Sequence, residues 1–546
     1  MWRVNTSGYQ VSRTGGACEL NSTMSLKRTT LPFLFAVCCC AVSGAENSSW
    51  WGMPLPPPLS DPTKPVLGYQ DYFPTLSARF PHRVGRHDER LDGTALKQDL
   101  RRIVDFSLES FHAGEKLWGR RATTSSFQHT LEWVEKEWKA VGLKDAHMEP
   151  FAVNGAMWTP ETWQVQVTGG GDPVTLTSAF PQQGSATGSR NAPLIFVGRG
   201  TPADLAGRDL RGKIAVMHVR PEPSLFGSAE QGIPALLVKR GAVAVVEAVE
   251  GPGNIQYYDP RFGCAPAMCF MVGGEDGWCL EQVIGKAADA DLPLKLSLTL
   301  RAAEKTGLTS GNVMATIAGR DAKRLVINAH ADGYFQGADD NASGLATLMA
   351  LARYFAEQAT PKHTLVFVAS GGHHGPGNGP GALVAAHPEW KGNVLTIINL
   401  EHLAYADAVR GKVRAQNNFG MVWNTSVTEG AKSIGVTNLA PFVGELWKEA
   451  PRCFGVATYQ QYARNVSGDL GGFSSLGVPM TQMIQSGTFY HTSGDVFEQV
   501  PEAGLERAAR FYAWFVEQLD AAPEPLIAGE RVTGYSAEKP ENCAAR

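Results

Sequence analysis

The sequence predicts an α/β fold: a mixed, largely parallel sheet sandwiched by helices, with a smaller α/β domain inserted into it. Three observations lead there. Between 312 and 519, continuous apolar runs alternate with helical segments, the pattern of strands buried on both faces of a sheet. Between 163 and 300 the texture changes to short β-type runs broken by Gly and Pro, as in a compact insert. His and carboxylate residues follow the ends of the long apolar runs, which is where open α/β sheets place their ligand sites.

At 546 residues the chain is too long for one hydrophobic core, so two or three domains are expected. A net charge of −4 with both signs interspersed gives no footprint for nucleic acid and no polybasic membrane patch. The 59 glycines suit a fold with many turns and strand ends. Near the start, Lys27 and Arg28 precede an apolar run over 31–42 and then Ser43, Gly44 and Ala45. A basic segment, a short apolar segment and small residues make an export signal over 1–45, with translation starting at Met1 or at Met24. The run is too short for a bilayer, which needs about 20 helical residues. A buried helix is the alternative, but nothing before the run resembles a domain. Secretion, or a periplasmic or other extracytoplasmic location, follows as the expectation.

Five of the nine cysteines lie beyond that signal: Cys264, Cys269, Cys279, Cys453 and Cys543. An oxidising compartment permits disulfides, and a local bridge is expected within the cluster 264–279. The odd count leaves at least one cysteine unpaired or intermolecular. Without a CxxC pair, a zinc–thiolate site is not expected.

The elements follow in order. Residues 46–95, with Pro54, Pro56, Pro57 and Pro58, read as an extended arm. Residues 96–165 open the main domain with two amphipathic helices, carried by Leu100, Ile103 and Val104, then by Leu131, Val134 and Trp138, and ending at Gly142. The insert spans 166–302, with strands expected at 192–197, 213–216 and 242–249 and a helix at 229–240. The main domain resumes over 303–522. Its buried strands are expected at 325–328, 364–368, 394–400 and 478–484, with a helix over 343–357 between the first two. Residues 523–546 read as a tail.

Each of those four strands ends in residues that bind metals. After the first come His330 and Asp332, then Asp339, Asp340, Asn341 and Ser343; after the second, His373 and His374; after the third, Glu401 and His402; after the last, His491 and Asp495. A single histidine beside an apolar strand is usually structural. Four strand ends converging on one crevice are different, because zinc takes imidazole and carboxylate ligands and two zincs can share a bridging carboxylate.

These motifs resemble peptidase family M28, whose members carry H-x-D, G-A-D-D-N-x-S-G, a Glu-Glu pair, N-x-D and a final Y-H-T-x-x-D. The resemblance covers about 96 to 500. The insert, through 209–216 and 239–245, resembles a protease-associated (PA) domain. The resemblance implies a zinc-exopeptidase-like fold and a metallopeptidase with two zinc ions acting on a peptide or aminoacyl amide, most directly as an aminopeptidase. It implies that Asp340 bridges the metals, that His330 and Glu401 complete one zinc and His374 and His491 the other. It further implies that Asp332 accepts a hydrogen bond from His330 and fixes its tautomer. Asp495 would support the last loop or His491. Asp339 and Asn341 are assigned to turn and helix-capping chemistry, and His363, His387 and His402 are set aside, although His402 adjoins Glu401.

The chain departs from the family at His373-His374, which stands where the family has Glu-Glu. His374 remains a competent ligand. An imidazole beside two dications has a lowered pKa and is neutral at pH 7, so His373 can still accept a proton. The glycine-rich run 375–381 reads either as a loop shaped around substrate or as a connector. Two alternatives share the scaffold: a catalytically degenerate binding protein, as in transferrin receptors, and a one-zinc aminoacyl cyclase of the glutaminyl cyclase type.

Overall fold

In a computed structural model of the chain, residues 55–67, 88–221, 224–415, 418–429, 432–436, 440–461, 468–484, 486–538 and 540 are described. The expected export signal, Met24 and Cys543 lie outside the described residues. No helix among the described residues is long and apolar enough to cross a membrane.

The central sheet has eight strands: β1 (His147–Ala152), β2 (Thr309–Ile317), β3 (Arg324–His330), β4 (Thr364–Ser370), β5 (Val394–Leu400), β6 (Lys432–Val436), β7 (Thr458–Gln461) and β8 (Met480–Ile484). Their order is β7-β6-β8-β5-β3-β4-β2-β1. β3 pairs parallel with β4 and β5, and β5 with β8. The four expected apolar runs thus form the parallel heart of the sheet. β2 and β6 pair antiparallel with their inner neighbours, which makes the sheet mixed.

Helices cover both faces because their apolar residues recur at helical spacing. In α1 (Gly93–His112) Leu96, Leu100, Ile103, Val104 and Ser107 are buried. In α2 (Ser125–Ala140) the buried stripe is Phe127, Leu131, Val134 and Trp138. Thr124 caps α2 by accepting from the Phe127 amide. α3 (Gly344–Ala356) is buried nearly all round, as its position against both the sheet and α1 requires. α4 (Gly379–Ala386) follows the glycine-rich run, capped by Asn378, and α5 (Glu502–Ala521) packs on α1 and α3.

A second eight-stranded sheet lies in the expected insert, in the order Val174–Thr175, Met157–Thr168, Lys295–Lys305, Gly188–Phe196, Ile214–Val219, Ala244–Val249, Met268–Val272 and Phe180–Pro181. One side of it draws on residues before 166 and after 302, because the antiparallel pair Met157–Thr168 and Lys295–Lys305 carries the chain into and out of the insert. Cys264 and Cys269 form a disulfide there. Cys453 is also disulfide-bonded, while Cys279 is free and buried.

Two stretches outside the expected main domain also contribute to its core. Leu91 is buried in the main core and α1 begins at Gly93, so the fold starts inside the stretch assigned to the arm. Ile527, assigned to the tail, is buried in the same core. Single apolar residues within polar or proline-rich stretches give no periodic signal. The described part of the arm, 55–67, is tied down: Asn254 donates to Pro57 O (3.0 Å), Gln336 to Pro62 O (2.9 Å) and Gln499 to Leu67 O (3.0 Å).

Candidate metal centre

The carboxyl ends of β3, β4, β5 and β8 converge on Asp340. From Asp340 Oδ1 the Nε2 atoms of His374, His402 and His330 stand at 2.9, 3.2 and 3.4 Å, and His491 Nε2 lies 3.2 Å from Oδ2. All five residues are buried. Nε2 of His330, of His402 and of His491 has no hydrogen-bond partner among the described residues. Leaving several buried polar atoms unpaired costs roughly 1–3 kcal/mol each, so their convergence needs an explanation. A zinc ion supplies one. Tetrahedral ligands on bonds of about 2.0–2.2 Å sit about 3.3 Å apart, close to the observed separations. Two groups built on Asp340, Asp340–His374–His491 and His330–Asp340–His402, have their ligand atoms within 4.8 Å of one another, as do His330–His373–His374 beside them and Asp321–His363–Glu524 elsewhere.

The protein's own charges divide the four rings. Burial lowers His330 and His402, but Asp332 and Asp340 beside His330, and Asp340 beside His402, outweigh it. They raise His330 above the ordinary value and His402 to about 9, so these two ligate only by giving up a proton. Burial pushes the His374 imidazole down to about 3 and also lowers His491, leaving neutral rings able to coordinate. Asp340 stays well below the usual carboxylate range despite burial, because His374 and His402 face it.

The surroundings fix these groups. Asp495 accepts the backbone N–H groups of Asp339 (2.8 Å) and Asp340 (3.1 Å), so it supports the bridging loop. Asn341 donates to Leu400 O (2.9 Å) and accepts from Gly344 N (3.1 Å) and His402 N (3.3 Å), tying that loop to the end of β5. Arg120, fully buried, donates to Ala331 O (3.0 Å), Gln336 O (2.7 Å) and Gly337 O (3.0 Å), satisfying carbonyls that the loop leaves without strand partners.

The structure places three of these residues as follows. His330 Nδ1 meets the backbone oxygen of Asp332 at 3.0 Å, while the Asp332 carboxylate stands 3.6 Å away. That carboxylate instead accepts the His374 amide at 2.5 Å, so Asp332 holds two histidines with two different groups. His402, set aside from sequence, enters the cluster. Neighbouring residues in a strand point to opposite faces, but β5 ends at Leu400 and His402 adopts φ +51°, which turns its ring inward. Glu401 is buried beside the cluster, its Oε1 3.9–4.0 Å from the rings of His330, His373 and His402, with Oε2 accepting from Asn399 (2.7 Å).

His373 lies over His330, with ring centroids 4.1 Å apart and planes at 20°. Its Nδ1 is 3.1 Å from Asp469 Oδ1, and Asp469 Oδ2 accepts from Ser370 (2.8 Å) and Asn328 (3.0 Å). Burial and His330 push the His373 pKa down, but Asp469 and Glu401 outweigh them and hold it above the ordinary histidine value. The lowered pKa expected from sequence rests on two dications beside the ring, whereas this shift comes from the protein's own groups, among them Asp469, to which the sequence reading assigned no role. A cavity of about 310 Å³ opens beside His373, lined by Gly372, Gly377, Asn378, Pro380, Gly468 and Asp469. At Gly372, φ is +87° and an added Cβ would fall 2.9 Å from the Gly377 backbone, so the glycines keep this wall low. His363 and His387 lie apart from the centre, paired with Asp321 and with Glu149 and Glu389.

The chain was compared with known proteins in sequence and in fold. Residues 312–516 match the model of Peptidase family M28. No curated protein matches the chain. Among solved structures, the fold is similar to an aminopeptidase from Aneurinibacillus sp. strain AM-1 (21% identity, 79% of this chain and 94% of that one, TM-score 0.52). It is also similar to a Peptidase M28 precursor from Shewanella amazonensis SB2B (18%, 82% and 98%, 0.58) and to BSAP, a zinc aminopeptidase from Bacillus subtilis (17%, 80% and 98%, 0.56). Residues 312–516 thus carry the sequence pattern of Peptidase family M28, in a chain whose fold is similar to these three structures.

Proposed function

We propose that this chain is an exported aminopeptidase that uses two zinc ions sharing Asp340 to hydrolyse an N-terminal amide of a peptide or peptide-like substrate, with His373 carrying the proton. The observation behind this reading is the convergence of four buried imidazole Nε2 atoms on one carboxylate. His374 and His491 would hold one ion with Asp340. His330 and His402 would hold the other, with Glu401 at its edge. Zinc so placed supplies Lewis acidity and acidifies water near neutral pH.

The protein's residues do the rest. Asp469 holds His373 through Nδ1, so Nε2 faces Glu401 and the centre and is the atom that would take and return a proton. The cavity beside His373 gives room for a substrate residue. Choice of an N-terminal amide rests on the aminopeptidases of similar fold. Export rests on the 27–45 pattern and on the disulfides, which persist in oxidising compartments. The insert we read as PA-type.

The test is turnover of aminoacyl amides with free and with blocked amino groups, alongside zinc content, for the native chain, His374→Ala and His491→Ala. Turnover only of free-amino substrates, lost in both variants together with zinc, is expected. Bound zinc with no turnover on any amide would replace this reading by the degenerate binding protein.

A further inference from the structure

His491 has a second buried nitrogen that the metal centre does not use. Its Nε2 faces Asp340, while Nδ1 points away and has no hydrogen-bond partner among the described residues. What faces Nδ1 comes from the inserted domain: Asp259 Oδ2, 3.7 Å away. Asp259 is fully buried, and a buried carboxylate is costly unless paired and hydrogen-bonded. It is paired. Arg261 donates to it through its backbone N–H (3.0 Å), Nε (2.8 Å) and Nη2, and Gln182 Oε1 accepts the Asp259 amide (2.8 Å).

The same stretch of the insert is bound to the His491 loop by backbone. Tyr258 N donates to His491 O (3.0 Å) and Ser493 N to Gln256 O (2.9 Å). Gln256 N donates to Ser493 Oγ (3.0 Å), and Tyr257 bridges Thr492. His491 itself is held at φ +58°, a conformation that non-glycine residues keep only when their surroundings enforce it. The Tyr490 ring stacks on it at 3.7 Å and 18°, and Tyr334 meets it edge-on at 5.2 Å. Arg261, besides pairing Asp259, lies over the Tyr490 ring at 5.5 Å.

We propose that Asp259 is a positioning residue: supplied by the inserted domain and held by Arg261, it fixes the tautomer and orientation of His491 so that Nε2 is presented to a divalent cation. The chemistry is that of a carboxylate behind a metal-binding histidine. A neutral imidazole that ligates through Nε2 must carry its proton on Nδ1. A buried carboxylate 3.7 Å from Nδ1, longer than a hydrogen bond but close enough for its charge to attract the N–H, favours that form and makes Nε2 the stronger donor. The insert then completes the metal centre as well as covering it. This inference rests on the reading of His491 as a ligand.

The test uses the full chain and zinc alone as the probe. Zinc affinity is measured by competition with a chromophoric chelator for the native protein, Asp259→Asn, Asp259→Glu and His491→Ala. The visible spectrum of the cobalt-loaded proteins and the apo unfolding temperatures are recorded in parallel. Loss of one second-sphere carboxylate typically costs 10–100-fold in metal affinity. Asp259→Asn should therefore bind one ion about 10–100-fold more weakly and change the cobalt spectrum, with partial recovery in Asp259→Glu. If Asp259→Asn does not fold because Arg261 is left unpaired, the Asp259→Asn/Arg261→Gln double variant serves in its place. A loss of less than tenfold with an unchanged spectrum, in a folded variant whose His491→Ala counterpart loses an ion, overturns the role of Asp259 alone. Full zinc retention in His491→Ala overturns the ligand reading on which it stands.

Discussion

Replacing His373 by Ala isolates the residue that most distinguishes this site. The ring contacts Asp469 at 3.1 Å and Glu401 at 3.9 Å, whereas the rings around Asp340 belong to His330, His374, His402 and His491. Removing it leaves those donors in place. Asp469 keeps its bonds from Ser370 and Asn328 but loses a charge-assisted partner, so the folding cost should be about 1.5–3 kcal/mol, that of one hydrogen bond to a charged group. Catalysis should suffer more. General acid–base catalysis is worth about 10²–10⁴ in rate, or about 2.7–5.5 kcal/mol at roughly 1.36 kcal/mol per decade. The expectation is a kcat reduced by that factor, a KM within a few-fold of native and two zincs retained, read by steady-state kinetics on an aminoacyl amide and by metal analysis. Turnover within threefold of native would show that another group carries the proton. Loss of a zinc would make His373 a ligand with His330 and His374, whose ligand atoms also lie within 4.8 Å of one another.

Other expectations follow from neighbouring features. Asp469→Asn removes the charge behind His373 while keeping an acceptor; it should lower kcat at least tenfold with zinc content unchanged, and a kcat equal to native would rule out Asp469 as the group that orients His373. Cys264→Ala/Cys269→Ala opens a short loop and should cost about 2 kcal/mol on loop-entropy grounds, measured by urea unfolding; a change below about 0.5 kcal/mol would show that the loop is held by other contacts. At His387 burial lowers the pKa, but hydrogen bonds to Glu149 and Glu389 raise it above the ordinary value. A group whose folded pKa is raised contributes stability that is fully present below its unfolded pKa and is lost as pH rises through the folded one. The gap in unfolding temperature between native protein and His387→Gln should therefore be widest below about pH 6.5 and shrink as pH rises; a gap independent of pH would remove the ionic contribution.

The sheet was legible because burial on both faces writes itself as continuous apolar runs: 325–328, 364–368 and 478–484 fall on β3, β4 and β8, and 394–400 coincides with β5. The convergence of His330, His374, Glu401 and His491 was legible because parallel strands share one carboxyl end. What was hidden depends on backbone turns and long-range contact. His402 turns inward only because its φ is positive. Asp469 reaches His373, and Asp259 reaches His491, across segments with no common periodicity. Arg120 spends its guanidinium on carbonyls of a loop distant in sequence, a role that no local pattern announces.

The central claim, a two-zinc centre built on Asp340, is tested most directly by anomalous diffraction at the zinc edge from crystals of the full chain grown with zinc. The account predicts two peaks about 3.5–4 Å apart, each about 2.0–2.2 Å from an Asp340 carboxylate oxygen, one beside His374 and His491 and the other beside His330 and His402. No peak within bonding distance of Asp340 would contradict it.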